Sequence, residues 1–301
     1  SSTKRIFTKD SFDFNKTCAF ASFYSGNYST DLYDDEVYKR VINTPSGLVL
    51  ASAVSLDKSS LDITTTSLKN DVEAENIARS QILRIVGANQ NPTDFYKLSD
   101  SDDILRPIVN HFRGLRIPQT LSVYEGLVTA IIGQQISTSV ASMLRSLIVE
   151  LYGDTINIDG QTFYLFPTPQ SIANAGVEEL VKNKFSRRKA EYIHSISEKE
   201  VMGELDLKTI KQMTLEEATE TLNSLRGVGP WTAQWLLIRS LGFSDGFPSG
   251  DLALQKIISK YLNTSKRMTS EEVLTFSERW APHRSWATTY IFAALRDGIN
   301  L

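Results

Sequence analysis

Residues 225–235 read LRGVGPWTAQW, and this run constrains the fold more than any other stretch of the chain. Leu222 and Leu225 close one apolar helical pattern and Thr232–Leu241 begin another, so two helices must meet across Gly227, Val228 and Gly229. The glycines permit positive φ and leave the surrounding amides unshielded. The segment therefore reads as helix, hairpin, helix. N–H groups at a helix N-terminus, with no side chain in the way, bind a phosphate oxygen without any basic residue. A Gly-x-Gly turn can equally be structural, so its meaning depends on the rest of the chain.

Charge bears on that choice. With 32 Lys+Arg against 35 Asp+Glu, the formal net charge of -3 excludes a broad basic surface. A nucleic-acid partner would have to be held by a local patch or by backbone amides. The one cysteine, Cys18, excludes internal disulfides and a protein-ligated iron–sulfur cluster, and fits a reducing, intracellular setting. No apolar run approaches the roughly 20 residues of a membrane span, and the start SSTKRIFTKD lacks the apolar centre of a signal peptide. The expected location is accordingly intracellular, in the nucleoid or the nucleus, without a membrane partner. At 301 residues the chain is long enough for two or three domains.

Texture changes near residue 100. Before it, TCAFASF, GLVLASAVSLD and SLDITTTSL are rich in β-branched and aromatic residues and predict short strands. Ile77, Ala78, Ile82, Leu83 and Val86 have helical spacing that ends at Gly87. Residues 1–99 thus read as a small antiparallel α+β unit, and almost everything beyond is helical. Tyr124, Leu127, Val128, Ile131 and Ile132 form a stripe that resumes with Val140, Met143, Leu144, Leu147 and Ile148. Between the halves lies GQQIS, where the spacing places Gln135 on the apolar face. Either that glutamine is buried or marks a helix break, or the face opens onto a cleft there. FYLF at 163–166 is weakly strand-like. Lys182, Lys184, Arg187, Arg188 and Lys189 then form a basic run, which is a solvated face or a source of phosphate contacts.

Two further features follow. In FPSGDLALQKI, Asp251 stands just before the stripe Leu254, Ile257, Ile258 and Tyr261, where an N-cap belongs. It is a cap alone, or also a carboxylate that faces whatever the hairpin holds. Trp231 and Trp235 lie four apart on one helix and share a face, as a core pair or as walls for a stacked ligand.

In order, GQQIS, SRRKAEYI, LRGVGPWTAQW, FPSGD and RWAPHRSWA resemble the helix-hairpin-helix DNA glycosylase superfamily, and within it the AlkA-like 3-methyladenine DNA glycosylase II branch. The likeness covers roughly residues 105–298, and an N-terminal α+β domain extends it to nearly the whole chain. It implies an α+β protein: residues 1–99 as the N-terminal domain, 124–242 as a helical lobe with the hairpin, and 100–123 with 243–301 as a second helical lobe, with a substrate cleft between the lobes. It implies a monomer that binds double-stranded DNA, flips out a damaged base and hydrolyses the N-glycosidic bond.

Carried over residue by residue, the resemblance makes Asp251 the catalytic aspartate. Gly227, Val228, Gly229 and Thr232 become the phosphate-binding hairpin. No organic cofactor is implied, but the carbonyls of Leu225 and Val228 would hold a monovalent cation, Na+ or K+. Trp231, Trp235, Tyr290, Phe292 and Gln134 would bind the base, with Trp286 as a further candidate for the opposite wall. Phe292 falls where such enzymes often place a tryptophan. Gln135 matches the position of an inserted leucine wedge, and Arg188 and Lys189 would reach phosphates. The strand-cutting branch carries a lysine two residues after the second hairpin glycine. Here that residue is Trp231, so no Schiff base can form and a monofunctional hydrolase is expected. The alternatives are a glycosylase for oxidised or deaminated bases (8-oxoguanine, uracil, hypoxanthine) or a non-enzymatic DNA-binding scaffold. Arg284 could pair with Asp251, with a helix end or with DNA.

Overall fold

Alternating apolar residues over positions 37–67 give long strands with one face to bury. The computed structural model describes residues 1–21 and 28–299. In it β1 (Ser2–Phe7), β2 (Leu32–Asp34), β3 (Val37–Thr44), β4 (Gly47–Asp57) and β5 (Ser60–Ser67) form an antiparallel sheet in the order β1-β5-β4-β3-β2. Val49, Ala51 and Ala53 of β4 and Leu61 and Ile63 of β5 are wholly buried. They share one core with α1 (Phe14–Ala21) and with Ala74, Ala78, Ile82 and Ile85 of α2 (Val72–Ile85). Each large apolar side chain removed from water this way contributes on the order of 1.5–3 kcal/mol.

One expected strand is a helix. Within TCAFASF, residues 17–21 belong to α1, because read from Phe14 the buried set Phe14, Thr17 and Cys18 has helical and not alternating spacing. Residues 22 and 23 of that motif lie outside the described residues.

The remaining elements are α3 (Thr93–Asp100), α4 (Leu105–Phe112), α5 (Val123–Gly133), α6 (Thr138–Tyr152), the two-stranded β6 (Thr155–Ile158) and β7 (Gln161–Tyr164), α7 (Pro169–Lys182), α8 (Arg187–Met202), α9 (Leu215–Asn223), α10 (Pro230–Arg239), α11 (Leu252–Tyr261), α12 (Ser270–Ser277) and α13 (Arg284–Arg296). α5 to α10 surround a central core that includes Leu127, Ile131, Leu144, Ile193 and Leu236. A third core gathers α3, α4, α11 and α13. The boundary expected at residue 99 cuts through α3, which packs with the C-terminal lobe. Phe95 stacks on Trp286 at 5.6 Å between ring centroids, and the Tyr96 and Tyr290 hydroxyls are 3.2 Å apart.

A buried ionic cluster joins the sheet to the central lobe. Arg40 on β3 pairs with Glu125 on α5 and with Asp31, while Arg145 on α6 reaches Glu125 at 3.1 Å and Asp31 at 3.7 Å. Burial alone would raise the Asp31 carboxyl, but the two guanidinium groups and the Tyr38 hydroxyl outweigh it and hold the carboxyl down at about 2. Glu125→Ala, which removes the buried carboxylate shared by Arg40 and Arg145 and leaves both to Asp31 alone, should cost about 3–5 kcal/mol in urea unfolding. Because the folded pKa of Asp31 is depressed, its stabilisation is complete above the unfolded value near ~4 and is lost as pH falls through about 2. The stability difference between wild type and Asp31→Asn should therefore shrink with acidification across that window and stay level above it.

Candidate active site

The hairpin forms where α9 ends at Asn223 and α10 begins at Pro230. Val228 donates its N–H to the Leu225 carbonyl at 3.0 Å, which closes the turn, and its side chain is buried in the central core. Gly227 has φ +92, and a Cβ there would run into the Tyr192 ring, so glycine is required twice over. Gly229 differs from the expectation of positive φ: it is extended at φ −91, and a Cβ would meet nothing within 4 Å. Its value is openness. As the N-cap of α10 it offers no side-chain acceptor, so the first-turn amides face outward uncapped. The Thr232 hydroxyl is no part of that outward face, because the side chain is buried and accepts a hydrogen bond from Gln134.

Tyr192, on α8, seats the hairpin and gathers charge. Arg188 donates from Nε to its hydroxyl at 2.6 Å, and the Arg188 and Arg226 guanidinium groups each lie 5.6 Å from its ring centroid. Other cations of the basic run are committed elsewhere: Arg187 to Glu178 and Lys182 to Glu179. Lys189, expected at a phosphate, turns inward and donates to the Ile132 carbonyl at 2.6 Å, and burial lowers its pKa. One position along the helix separates it from Arg188, and that moves it about 100° around the axis.

The α5 stripe does not continue through Gln135. α5 ends at Gly133, Gln134 is extended, and Gln135 takes φ +56 before Ser137 caps α6. Gln135 is exposed at the tip of this break. Val140 and Met143, expected in the stripe, are exposed as well. Gln134, expected at the base, instead gives its amide to Gly227 O at 2.8 Å and Thr232 Oγ1 at 3.1 Å. It therefore supports the hairpin.

Asp251 is the N-cap of α11 and more. Its Oδ1 accepts the N–H groups of Ala253 and Leu254 at 2.9 and 3.1 Å, while Oδ2 accepts the Trp231 indole N–H at 3.0 Å. Both carboxylate oxygens are thereby oriented, one by a helix N-terminus and one by an aromatic ring from α10. They border a cavity of about 220 Å³ that Trp231, Trp235, Phe20 and Phe292 also line. Larger cavities, of about 360 and 460 Å³, contain none of these side chains. Size alone does not mark the site.

α13 supplies Thr288, Phe292, Leu295 and Arg296 to the cavity, one face at helical spacing. Tyr290 falls on the opposite face. It is fully buried against Phe95 and donates its hydroxyl to the Leu115 carbonyl, so it and Trp286 are core residues and not a wall. Arg284 is held by Asp245 through two guanidinium contacts of 2.8 and 2.6 Å, and reaches neither Asp251 nor the cavity.

Among the lining residues that escaped the sequence reading, three carry an aromatic ring or a charge. Phe20 comes from the N-terminal unit, with no periodic signal to connect it. Arg296 stands four residues after Phe292, a spacing that would have revealed it. Arg239, four after Trp235, lies 5.7 Å from that ring and 5.3 Å from Phe20, and Arg296 lies 4.0 Å from Phe20. Trp231, at 38% exposure, is the indole that remains open to a ligand.

With this geometry, residues 128–283 match the HhH-GPD superfamily base excision DNA repair protein family. The chain is 33% identical over 203 residues to the DNA-3-methyladenine glycosylase of Bacillus subtilis, covering 67% of each chain. It is 30% identical over 179 residues to DNA-3-methyladenine glycosylase 2 of Escherichia coli, covering 60% of each. The 3-methyladenine DNA-glycosylase from Archaeoglobus fulgidus superposes with a TM-score of 0.85 at 30% identity, over 97% of this chain and 98% of that one.

The two hairpin glycines should respond differently to a methyl group. Gly227→Ala should lose about 1–3 kcal/mol of stability, since it meets both an αL backbone and the Tyr192 ring. Gly229→Ala should stay within about 0.5 kcal/mol of wild type. Thermal unfolding of the pair checks this.

Proposed function

This chain belongs to the HhH-GPD superfamily of base excision DNA repair proteins, and on that premise we propose that it is a monofunctional DNA glycosylase that removes alkylated purines of the 3-methyladenine and 7-methylguanine type from double-stranded DNA. The observation that carries this reading is the Asp251 carboxylate, fixed by three N–H donors at the mouth of an aromatic cavity.

A base stacked in a duplex cannot reach that carboxylate, so the nucleotide must leave the helix at a cost of a few kcal/mol. The uncapped amides at Gly229 hold a backbone phosphate, supported by Arg188 and Arg226, while the extruded base enters the cavity against Trp231. As the glycosidic bond stretches, positive charge develops on the sugar, and the preorganised Asp251 carboxylate stabilises it. The base departs with the electron pair of the glycosidic bond, and water adds to the sugar and gives up its proton to Asp251 or to solvent. Trp231 brings no amine to form a covalent intermediate, so the strand stays intact. A monovalent cation on the Leu225 and Val228 carbonyls would brace the hairpin. The Leu225 oxygen already accepts the Val228 N–H, and its second lone pair suits a cation.

Arg239 and Arg296 favour a second activity in the same cavity. Arg239 donates to the Pro118 carbonyl and Arg296 to the Phe20 carbonyl, and their positive charge beside Phe20 opposes a cationic base and suits a neutral one, such as hypoxanthine. In this reading the cationic purine is drawn by Trp231, through cation–π attraction of about 1–2 kcal/mol, and the neutral one by the arginines. Among the described residues no helix is long and apolar enough to cross a membrane. We place the protein inside the cell, acting as a monomer on DNA.

Asp251→Asn should lower single-turnover release of 7-methylguanine by on the order of 10²–10³-fold while duplex affinity changes only a few-fold. Persistence of full activity would remove Asp251 from the chemistry, and strand scission without alkali would overturn the monofunctional assignment. Trp231→Ala should cost 7-methylguanine roughly 10-fold more than hypoxanthine. Equal losses would count against selection by charge.

A further inference from the structure

We propose that Gln134 is a positioning residue that locks the exposed Gln135 to the phosphate-binding hairpin, so that the two grip DNA as one rigid element. This rests on the glycosylase reading above and adds to it how extrusion of the base is coupled to the hold on the backbone.

Gln134 lies in the short break between α5 and α6, next to Gln135 at the exposed tip. Its Nε2 donates to Gly227 O and to Thr232 Oγ1, which flank the open Gly229 on either side along the chain. The primary amide is the group this geometry needs. It carries two N–H donors on one nitrogen, and both acceptors belong to the hairpin. Glutamate of the same shape has no donor when ionised, methionine has none at all, and asparagine is one methylene too short.

The rest of the break is also pinned. Lys189 holds the Ile132 carbonyl at 2.6 Å on the N-terminal side, and Ser137 caps α6 on the other. Gln135 itself sits at φ +56, a left-handed conformation that non-glycine residues rarely adopt and that persists where neighbours impose it. A strained, exposed residue between two anchors projects from a fixed point. Fixing that point relative to the Gly229 amides matters because the side chain that enters the vacated stack must act while the phosphate is held. A misplacement of about 1 Å can cost on the order of 10²-fold in rate.

The test compares single-turnover excision by the full chain from two duplexes. One carries 7-methylguanine paired with cytosine, and the other carries the same lesion in a bulge, already unstacked. Gln134→Glu and Gln134→Met should each shift the ratio of the two rates at least 10-fold toward the bulged substrate, a bias that a general loss of structure would not produce. Gln135→Ala should shift the ratio the same way, and Gln134→Met combined with Gln135→Ala should shift it no further than the larger single effect. If the Gln134 variants do not fold, Thr232→Val, which removes one acceptor and keeps the shape, should give a smaller shift of the same sign. Equal losses on both duplexes, or additive effects in the double variant, would overturn the coupling. If wild type excised neither lesion, the glycosylase reading itself would fall; wild-type activity with an unchanged ratio in the variants would sink this inference alone.

Discussion

The hydrogen bond from the Trp231 indole to Asp251 fastens α10 to α11 at the point where the cavity opens. Everything that concerns the chemistry depends on where these two helices begin. α10 starts at a glycine that offers no cap, and α11 starts at an aspartate that caps it through two amides. One helix N-terminus is therefore left without a cap, while the other is satisfied internally by the Asp251 carboxylate. The same macrodipole leaves one N-terminus suited to an anion and orients the Asp251 carboxylate at the other.

Local arrangement resolves the conflict between an acidic chain and a polyanionic partner. Within the basic run, Lys182 and Arg187 are paired with carboxylates, which cancels much of their long-range field, and Lys189 turns inward to a backbone carbonyl. Arg188 and Arg226 are brought together on the Tyr192 ring beside the hairpin. Arg226 also touches Glu191 at 3.4 Å, so part of its charge is compensated. The Arg188 guanidinium and the uncompensated part of Arg226 thus add positive charge beside the amides.

Much of this was legible in the sequence because it is governed by local rules. The hairpin, the Asp251 cap, α2 and the strands β4 and β5 follow from turn residues, caps and periodicity, which need no knowledge of distant contacts. The errors arise where one residue of offset or one tertiary contact decides. Tyr290 and Phe292 are two apart on α13, and only packing shows which of them meets the cavity and which meets Phe95. Lys189 and Arg188 differ in the same way on α8. α1 looks strand-like in the sequence because Phe14, which sets its helical phase, precedes the stretch TCAFASF. The role of Gln134 depends on a partner ninety-three residues away, and no local pattern encodes that. Phe20 is subject to the same limit, since its place in the cavity follows from how the N-terminal unit docks.

That docking gives the cavity a mixed ancestry within the chain. Phe20 belongs to α1 of the N-terminal unit, Trp231 and Trp235 to a helix of the central lobe, and Asp251 and Phe292 to helices that pack in the third core. No one of the three bodies owns the chamber, so it exists only as a property of their assembly. A sequence change in the seam between them can therefore alter the chamber's shape while leaving each core intact. For a lineage exposed to a changing spectrum of chemical damage, the joints are where variation in specificity would accumulate first.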